Sequence, residues 1–374
     1  MTITFIIVIL LYLFLIGSFV LGFDKIKVFR LDDCTPKTKF TVVIPFRNEA
    51  EHLPELLDSI LKLNYPKDLF EIIFVDDASE DDSVAQIMKF LTSIQNDSKL
   101  LNNVRVSHSP KKDAITLAIQ HAKSKWIITT DADCVLPKYW LDSYDEFIQK
   151  NSVKLIAGPV TYSHNKGILN AFQSLDFFSL IGATIGGFGL NKPFLCNGAN
   201  LAYQKDFFES VNGFEGNTTI ASGDDIFLLE KALKRDKNAI QYLKCEQAVV
   251  TTKPQDSLKL LLAQRLRWAS KTSNYSNNFA KLVGLAVLLA NALIIIGFVF
   301  VLMGLLKAKA FAYLFFIKIA IDFLLIYKTS QFFNKENLLK HYTWSCLLYP
   351  FFSVYIAFIS VFMTYKWKGR TFKK

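Results

Sequence analysis

The strongest constraint on this chain is that both of its ends are apolar in long runs, which a domain bathed only in water could not cover. Residues 3–22 carry no charge. At about 1.5 Å per residue they are long enough for a hydrocarbon core of roughly 30 Å. A cleaved signal peptide would carry its basic residues before the apolar run. Here Lys25, Lys27 and Arg30 follow it, which predicts a retained helix with the N-terminus outside and the chain from Lys25 onward in the cytoplasm. Three more apolar stretches lie beyond Lys281: 282–306, free of charge; 311–327, with Lys318 and Asp322 four apart on one helical face; and 345–365. Four crossings would leave the basic tail (Lys366, Lys368, Arg370, Lys373, Lys374) outside, against the positive-inside rule. One C-terminal stretch is therefore expected to be re-entrant or interfacial, and the sequence leaves open which.

The net charge of +10, from 43 Lys and Arg against 33 Asp and Glu, admits a nucleic-acid partner. The clustering of basic residues beside apolar runs is better explained by anionic lipid head groups, so no nucleic-acid partner is expected. The cysteines (Cys34, Cys134, Cys196, Cys245, Cys346) are far apart and odd in number, and no pair has metal-ligand spacing. That fits a reducing setting without a disulfide framework or zinc site. The histidines are equally scattered.

Between the apolar ends the chain alternates short β-branched runs with amphipathic ones. Strands are expected at 40–45, 71–76, 104–107 and 126–130, and helices at 49–63, 82–94, 114–123 and 138–150. The alternation predicts an α/β fold with a mostly parallel sheet covered on both faces, its ligand at the carboxyl ends of the strands. No G-x-G-x-x-G follows the first strand, which weighs against a dinucleotide-dependent oxidoreductase.

Acidic residues fall at those strand ends. Asp76 and Asp77 end the second strand, where carboxylates can accept hydrogen bonds from a base and ribose; the bland alternative is that Asp77 or Ser79 caps the next helix. Asp131-Ala132-Asp133 ends the fourth strand, and two such carboxylates suit one hard divalent cation, Mg²⁺ or Mn²⁺, completed by diphosphate oxygens. Gly223-Asp224-Asp225 opens an apolar helix: helix-start acids complementing the dipole, or a general base for an acceptor hydroxyl. Gln264, Arg267 and Trp268 share one face of a helix just before the C-terminal membrane block. That helix suits a phosphate-binding guanidinium, an amphipathic interfacial helix, or both.

Taken in order, these residues resemble the membrane-bound branch of the family-2 glycosyltransferases with a GT-A fold. Val43-Ile44-Pro45-Phe46-Arg47-Asn48-Glu49 is similar to the family's opening strand and donor turn, Asp76-Asp77 to its nucleoside-binding acids and Asp131-Ala132-Asp133 to its metal pair. Asp225 stands where the family has its base, and Gln264, Arg267 and Trp268 match Q-x-x-R-W. Cys196-Asn197-Gly198-Ala199-Asn200 resembles the acceptor-side segment, which adds Asn197, Gly198 and Asp224, and Trp367-Lys368-Gly369-Arg370 resembles a C-terminal W-x-G-R. Lys111 and Ala114 fit a G-K-x-x-A-L-N segment in which Pro110 replaces the glycine and Thr116 the asparagine, and Asp224 stands where glutamate is usual.

The resemblance implies an inverting, membrane-bound transferase of the hexosyltransferase class. Pro45, Arg47, Glu49, Asp76, Asp77, Lys111, Asp131, Gln264, Arg267 and Trp268 would face a nucleotide-sugar donor, UDP-sugar favoured, and a divalent cation would sit on Asp131 and Asp133. Asp225 would act as base toward a lipid or cell-envelope glycan acceptor. The expected organisation is a membrane helix at 1–24, the GT-A domain at 38–254, an interfacial helix at 255–280, membrane helices at 281–366 and a basic tail at 367–374. The rivals are a processive polysaccharide synthase, an inactive scaffold of the same fold, and a channel or transporter.

Overall fold

Buried β-branched runs become the strands of a central sheet. The protein is described by a computed structural model covering residues 2–94, 96–163, 167–368 and 370–372. Its first strands are β1 (Phe40–Phe46), β2 (Phe70–Asp76), β3 (Ser98–Asn102) and β4 (Trp126–Thr129). The third corrects the expectation of a strand at 104–107. β3 pairs in parallel with β2 from Ile72↔Ser98 to Asp76↔Asn102, so the edge strand ends where its neighbour ends. Val104 and Val106 then stand 62% and 81% exposed, in a turn held by the Asp113 carboxylate, which accepts from the backbone N–H of Val106 and Ser107 at 3.2 and 3.0 Å.

The further strands of the two sheets that follow are β5 (Cys134–Val135), β6 (Leu155–Ala157), β7 (Val160–Tyr162), β8 (Leu201–Gln204), β9 (Ile240–Tyr242) and β10 (Val250–Thr252). The main sheet runs β3-β2-β1-β4-β8-β6-β9, and β5-β10-β7 form a small second sheet. β1 is parallel to both β2 and β4, whereas β8 is antiparallel to β4 and β6. Helices Leu53–Leu61, Ser83–Ser93, Pro110–His121 and Trp140–Lys150 accompany the first strands. The first begins four residues later than expected because Glu49 belongs to a turn, its carbonyl accepting from His52 and Leu53. The third begins four residues earlier because Pro110 sits at its N-terminus, where a missing N–H costs nothing.

The chain divides into two compact units, one of residues 27–163 and 195–253 that holds both sheets, the other of residues 1–26, 164–194 and 254–374. Among the described residues of the helical unit, five helices are long and apolar enough to cross a membrane: Ile3–Lys25, Ile168–Gly189, Asn278–Leu302, Ala308–Phe332 and Glu336–Phe362. The sequence reading found four and missed Ile168–Gly189, whose apolar run is broken by Gln173, Ser174 and Asp176. These polar side chains are buried and two are matched inside the unit. Gln173 exchanges two hydrogen bonds with the backbone of Gln255, and Asp176 pairs with Arg265 at 2.7 Å.

Ile168–Gly189 meets the first helix backbone to backbone. A Cβ on Gly186 would come within 2.5 Å of the Phe19 carbonyl, and one on Gly189 within 1.8 Å of the Gly22 carbonyl. Small residues at a helix crossing give close van der Waals packing, which drives association where lipid supplies no hydrophobic contrast. Lys318 and Asp322 do pair, at 2.9 Å, and the Tyr12 hydroxyl donates to Asp322 at 2.7 Å. The buried Lys318 and the half-buried Asp322 thereby each have a partner from their own or a neighbouring helix. Of the expected tail, a short hairpin pairs Tyr365–Trp367 with Arg370–Phe372; Gly369, Lys373 and Lys374 lie outside the described residues.

Candidate active site

Because β1, β2 and β4 are parallel, their carboxyl ends open on one edge of the sheet. β8 runs the other way, with Thr129 opposite Leu201, so the residues entering β8 arrive at that same edge. The Thr129 hydroxyl fixes the approach by donating to the Gly198 carbonyl at 2.7 Å. The Asn197–Asn200 segment is thus brought beside the turn that carries Asp131 and Asp133. Asn200 anchors it from behind: fully buried, it accepts from Trp140 Nε1 and Tyr144 Oη, both at 2.8 Å, and donates to the carbonyls of Pro159 and Ala248.

Three consecutive residues in the first turn of the Pro110–His121 helix hold three separate parts of this edge. Lys111 Nζ reaches Asp131 Oδ1 at 2.6 Å and Asp224 Oδ2 at 3.3 Å. Lys112, almost wholly buried, donates to the carbonyls of Asn217 and Ile220 at 2.7 and 2.9 Å and lies over the Phe227 ring. It thereby ties down the loop that leads into Asp224. Asp113 shapes the turn that carries Arg105, as described above. Lys112 and Asp113 were not singled out in the sequence. A buried lysine satisfied by loop carbonyls has no local signature, since both acceptors lie more than a hundred residues away.

Asp224 and Asp225 begin the helix Asp224–Asp236, entered through Gly223 in the left-handed region at φ 84°. They therefore do occupy the helix-start position, where acids complement the dipole. Asp225 does more than that. Its Oδ2 accepts from the Gly198 N–H at 3.2 Å and its Oδ1 from the N–H of Ile226 at 2.8 Å. The closeness of these parts explains the glycine at 198: a Cβ there would stand 2.8 Å from Asp224 Oδ2 and 3.6 Å from both Asp225 Cβ and Lys111 Nζ.

One ammonium stands among several carboxylates in this cluster. Burial lowers the proton affinity of Lys111, but Asp131 first and Asp224 next outweigh it and hold the ammonium well above its ordinary pKa. Burial lifts the Asp131 carboxyl above the usual range; the Lys111 charge opposes that lift and the Asp133 charge adds to it.

Asp131 and Asp133 supply two carboxylates, and among the described residues no group of three or more His, Cys, Asp or Glu side chains could hold a metal. The donor set fits a hard cation that binds through one or two carboxylates and takes its other oxygens from a ligand. The ammonium already seated on Asp131 Oδ1 shows that this oxygen receives positive charge.

At the neighbouring strand ends the turns after β1 and β2 are laced together. Arg47, two residues after Pro45, donates to the Asp77 carbonyl at 2.7 Å and pairs with Glu80 at 2.9 Å. The Asn48 N–H donates to Ser79 Oγ and the Glu49 N–H to Ser83 Oγ. Neither Asp77 nor Ser79 caps the next helix, which starts at Ser83. Asp76 Oδ1 instead accepts from the Ser79 N–H at 2.9 Å. Asp77 Oδ1 accepts from Arg105 Nε at 2.7 Å and Asn103 Nδ2 at 2.9 Å. Arg105 was missed because it falls in the stretch 104–107 that reads as strand, and Asn103 stands just before it.

Gln264, Arg267 and Trp268 belong to the helical unit, on the helix Leu258–Ser270. Within that unit the residue between them, Arg265, gathers two of the three. Its guanidinium donates to Gln264 Oε1 and lies 4.2 Å from the Trp268 ring, while its Nε pairs with Asp176.

Residues 41–211 match the family model described as Glycosyl transferase family 2. Among curated proteins, the chain is 24% identical over 192 residues to Glycosyltransferase AglE of Haloferax volcanii, across 51% of this chain and 60% of that one. It is 28% identical over 114 residues to the poly(ribitol-phosphate) beta-N-acetylglucosaminyltransferase TarS of Staphylococcus aureus, across 30% of this chain and 19% of that one. The match thus spans less than two thirds of either relative. Among solved structures, a mannosyltransferase from Pyrobaculum calidifontis in complex with GDP-Man and Mn²⁺ aligns with a TM-score of 0.57 at 18% identity, over 97% of this chain and 99% of that one. The fold is accordingly GT-A-like: α/β, with a mostly parallel sheet.

Proposed function

We propose, taking residues 41–211 as a family-2 glycosyltransferase domain on a GT-A-like framework, that this chain is a membrane-bound inverting glycosyltransferase. It would move a sugar from a nucleoside-diphosphate sugar to a lipid or cell-envelope glycan. The observation that carries this is the meeting of Asp131, Asp224, Asp225, Lys111 and Gly198 at one sheet edge.

In this reading Asp225 removes the proton from an acceptor hydroxyl. The Gly198 and Ile226 N–H groups fix its carboxylate in place, and the proton ends on that carboxylate. The freed oxygen attacks the anomeric carbon from the face opposite the leaving group, the glycosidic C–O bond breaks, and the electron pair leaves with the nucleoside diphosphate. Lys111 and Arg47 are the cations beside the candidate donor-binding acids. The Asp77–Arg105–Asn103 group lies where the base and ribose would be read. The resemblance assigns Gln264, Arg267 and Trp268 to the donor side, and that assignment is part of the proposal.

A divalent cation held through Asp131 and Asp133 would supply neutralisation of the diphosphate. The Mn²⁺ and GDP-Man in the Pyrobaculum mannosyltransferase support such a cation and a nucleoside-diphosphate donor. The lean to UDP rests on the resemblance. The basic residues after the first helix support a cytoplasmic sheet-bearing unit, with a multi-pass anchor in the cell membrane.

The test is Asp133→Ala assayed for donor binding across a Mn²⁺ and Mg²⁺ titration. Cation-dependent binding is expected to weaken by about tenfold or more. Cation dependence unchanged from wild type would remove Asp133 from the metal pair.

A further inference from the structure

We propose that Lys111 is a built-in counter-cation of the carboxylate site: it holds Asp131 and Asp224 while the site is free of donor, and leaves Asp131 when a divalent cation arrives together with a nucleoside diphosphate. This rests on the cation and donor reading above.

Four carboxylates crowd one sheet edge. Asp131 and Asp133 lie two residues apart on one turn, Asp224 and Asp225 are consecutive, and Lys111 Nζ bridges the two groups at 2.6 Å from Asp131 Oδ1 and 3.3 Å from Asp224 Oδ2. The ammonium is only 18% exposed and the Asp131 side chain 36%, so water screens the pair incompletely. Like carboxylates at this spacing repel, and one positive charge between them removes most of that cost. The oxygen that Lys111 occupies belongs to the carboxylate on which the cation would sit. A divalent ion and an ammonium sharing that oxygen repel each other, so the two compete.

Lysine suits such an exchange better than a fixed guanidinium would. Its charge is compact and its four-carbon stem turns freely, and an ammonium binds phosphate oxygens well as a point charge. Lys111 starts from the first turn of its helix, where the helix dipole favours an incoming anion. Diphosphate oxygens arriving there would draw the ammonium from Asp131 and leave that carboxylate to the cation. Cation and nucleotide would then bind cooperatively, each raising the affinity for the other by the same factor.

The experiment uses the full chain in detergent and counts free Mn²⁺ by electron paramagnetic resonance, with Mn²⁺ alone and with Mn²⁺ plus UDP or GDP. Wild type is expected to bind Mn²⁺ weakly alone and at least about tenfold more tightly with the matching nucleotide. Lys111→Met is expected to bind Mn²⁺ alone about tenfold more tightly than wild type, with little further gain from nucleotide. Lys111→Arg, which keeps the charge, should bind Mn²⁺ alone as weakly as wild type and serves as the folded control; Lys111→Gln repeats the neutral substitution with a polar side chain. If both neutral variants bind Mn²⁺ alone no more tightly than wild type, while nucleotide still promotes Mn²⁺ binding, the counter-cation role is wrong and the cation site stands. If no form of the protein binds Mn²⁺ with either nucleotide, the cation reading fails and this proposal fails with it.

Discussion

Replacing Asp225 with asparagine is expected to lower sugar transfer by about two to four orders of magnitude, the usual contribution of a positioned general base. Donor binding should stay within a few fold of wild type. The substitution preserves shape, and the single carboxamide oxygen can keep one of the two hydrogen bonds, from Gly198 N–H to Oδ2 and from Ile226 N–H to Oδ1, that hold the carboxylate now. What it removes is the capacity to take a proton. Asp224→Asn is the matched control: it alters the neighbour that Lys111 touches at 3.3 Å and leaves Asp225 intact, so its loss should be smaller. The readouts are initial rates of label transfer and direct titration of the nucleotide sugar. Near-normal transfer by Asp225→Asn would take Asp225 out of the mechanism.

Arg265→Met should destabilise the helical unit by about 3–5 kcal/mol, because it strands the Asp176 carboxylate without its cation. Both side chains of the pair are 6% exposed, and they meet at 2.7 Å. The guanidinium also donates to Gln264 and lies against the Trp268 ring, so its loss loosens the turn that carries the signature residues. A double variant, Arg265→Met with Asp176→Leu, should recover most of the loss, since an apolar pair of similar volume leaves no buried charge behind. Thermal unfolding in detergent measures both. A single variant as stable as wild type would show that the pair is dispensable, and a double variant no better than the single would place the cost in packing rather than charge.

The strands that position the site were legible because burial selects β-branched runs: 40–45, 71–76 and 126–130 read as such, and the strands run 40–46, 70–76 and 126–129. The third strand in chain order was placed too late, since Val104 and Val106 look like strand residues while Ser98–Asn102 does not. Pairing with β2 settled what local composition misassigned. Ile168–Gly189 was hidden for the opposite reason. Its Gln173 and Asp176 interrupt the apolar run, and only the partners Gln255 and Arg265, more than eighty residues on, make them core.

At the site, the carboxylates were visible because chemistry confines them to strand ends and a helix start. Their partners were not. Lys111 could be placed only by resemblance, and nothing in the spacing foretold that it bridges Asp131 and Asp224 across more than ninety residues. Gln264, Arg267 and Trp268 lie on one helix, Leu258–Ser270, as their spacing implies. Arg265 was passed over, and the structure shows it buried in the helical unit against Asp176.

The central claim, transfer of a sugar from a nucleoside-diphosphate donor, is tested most directly by offering a panel of UDP- and GDP-sugars to membranes containing the full chain, with Mn²⁺ or Mg²⁺ present. Release of nucleoside diphosphate and appearance of label in lipid and polymer fractions are followed together. The expected result is cation-dependent release with one donor, matched by label in an extractable lipid or a cell-envelope glycan and abolished by Asp225→Asn. Folded protein that turns over no donor with either cation would contradict the account and favour a scaffold built on the same fold.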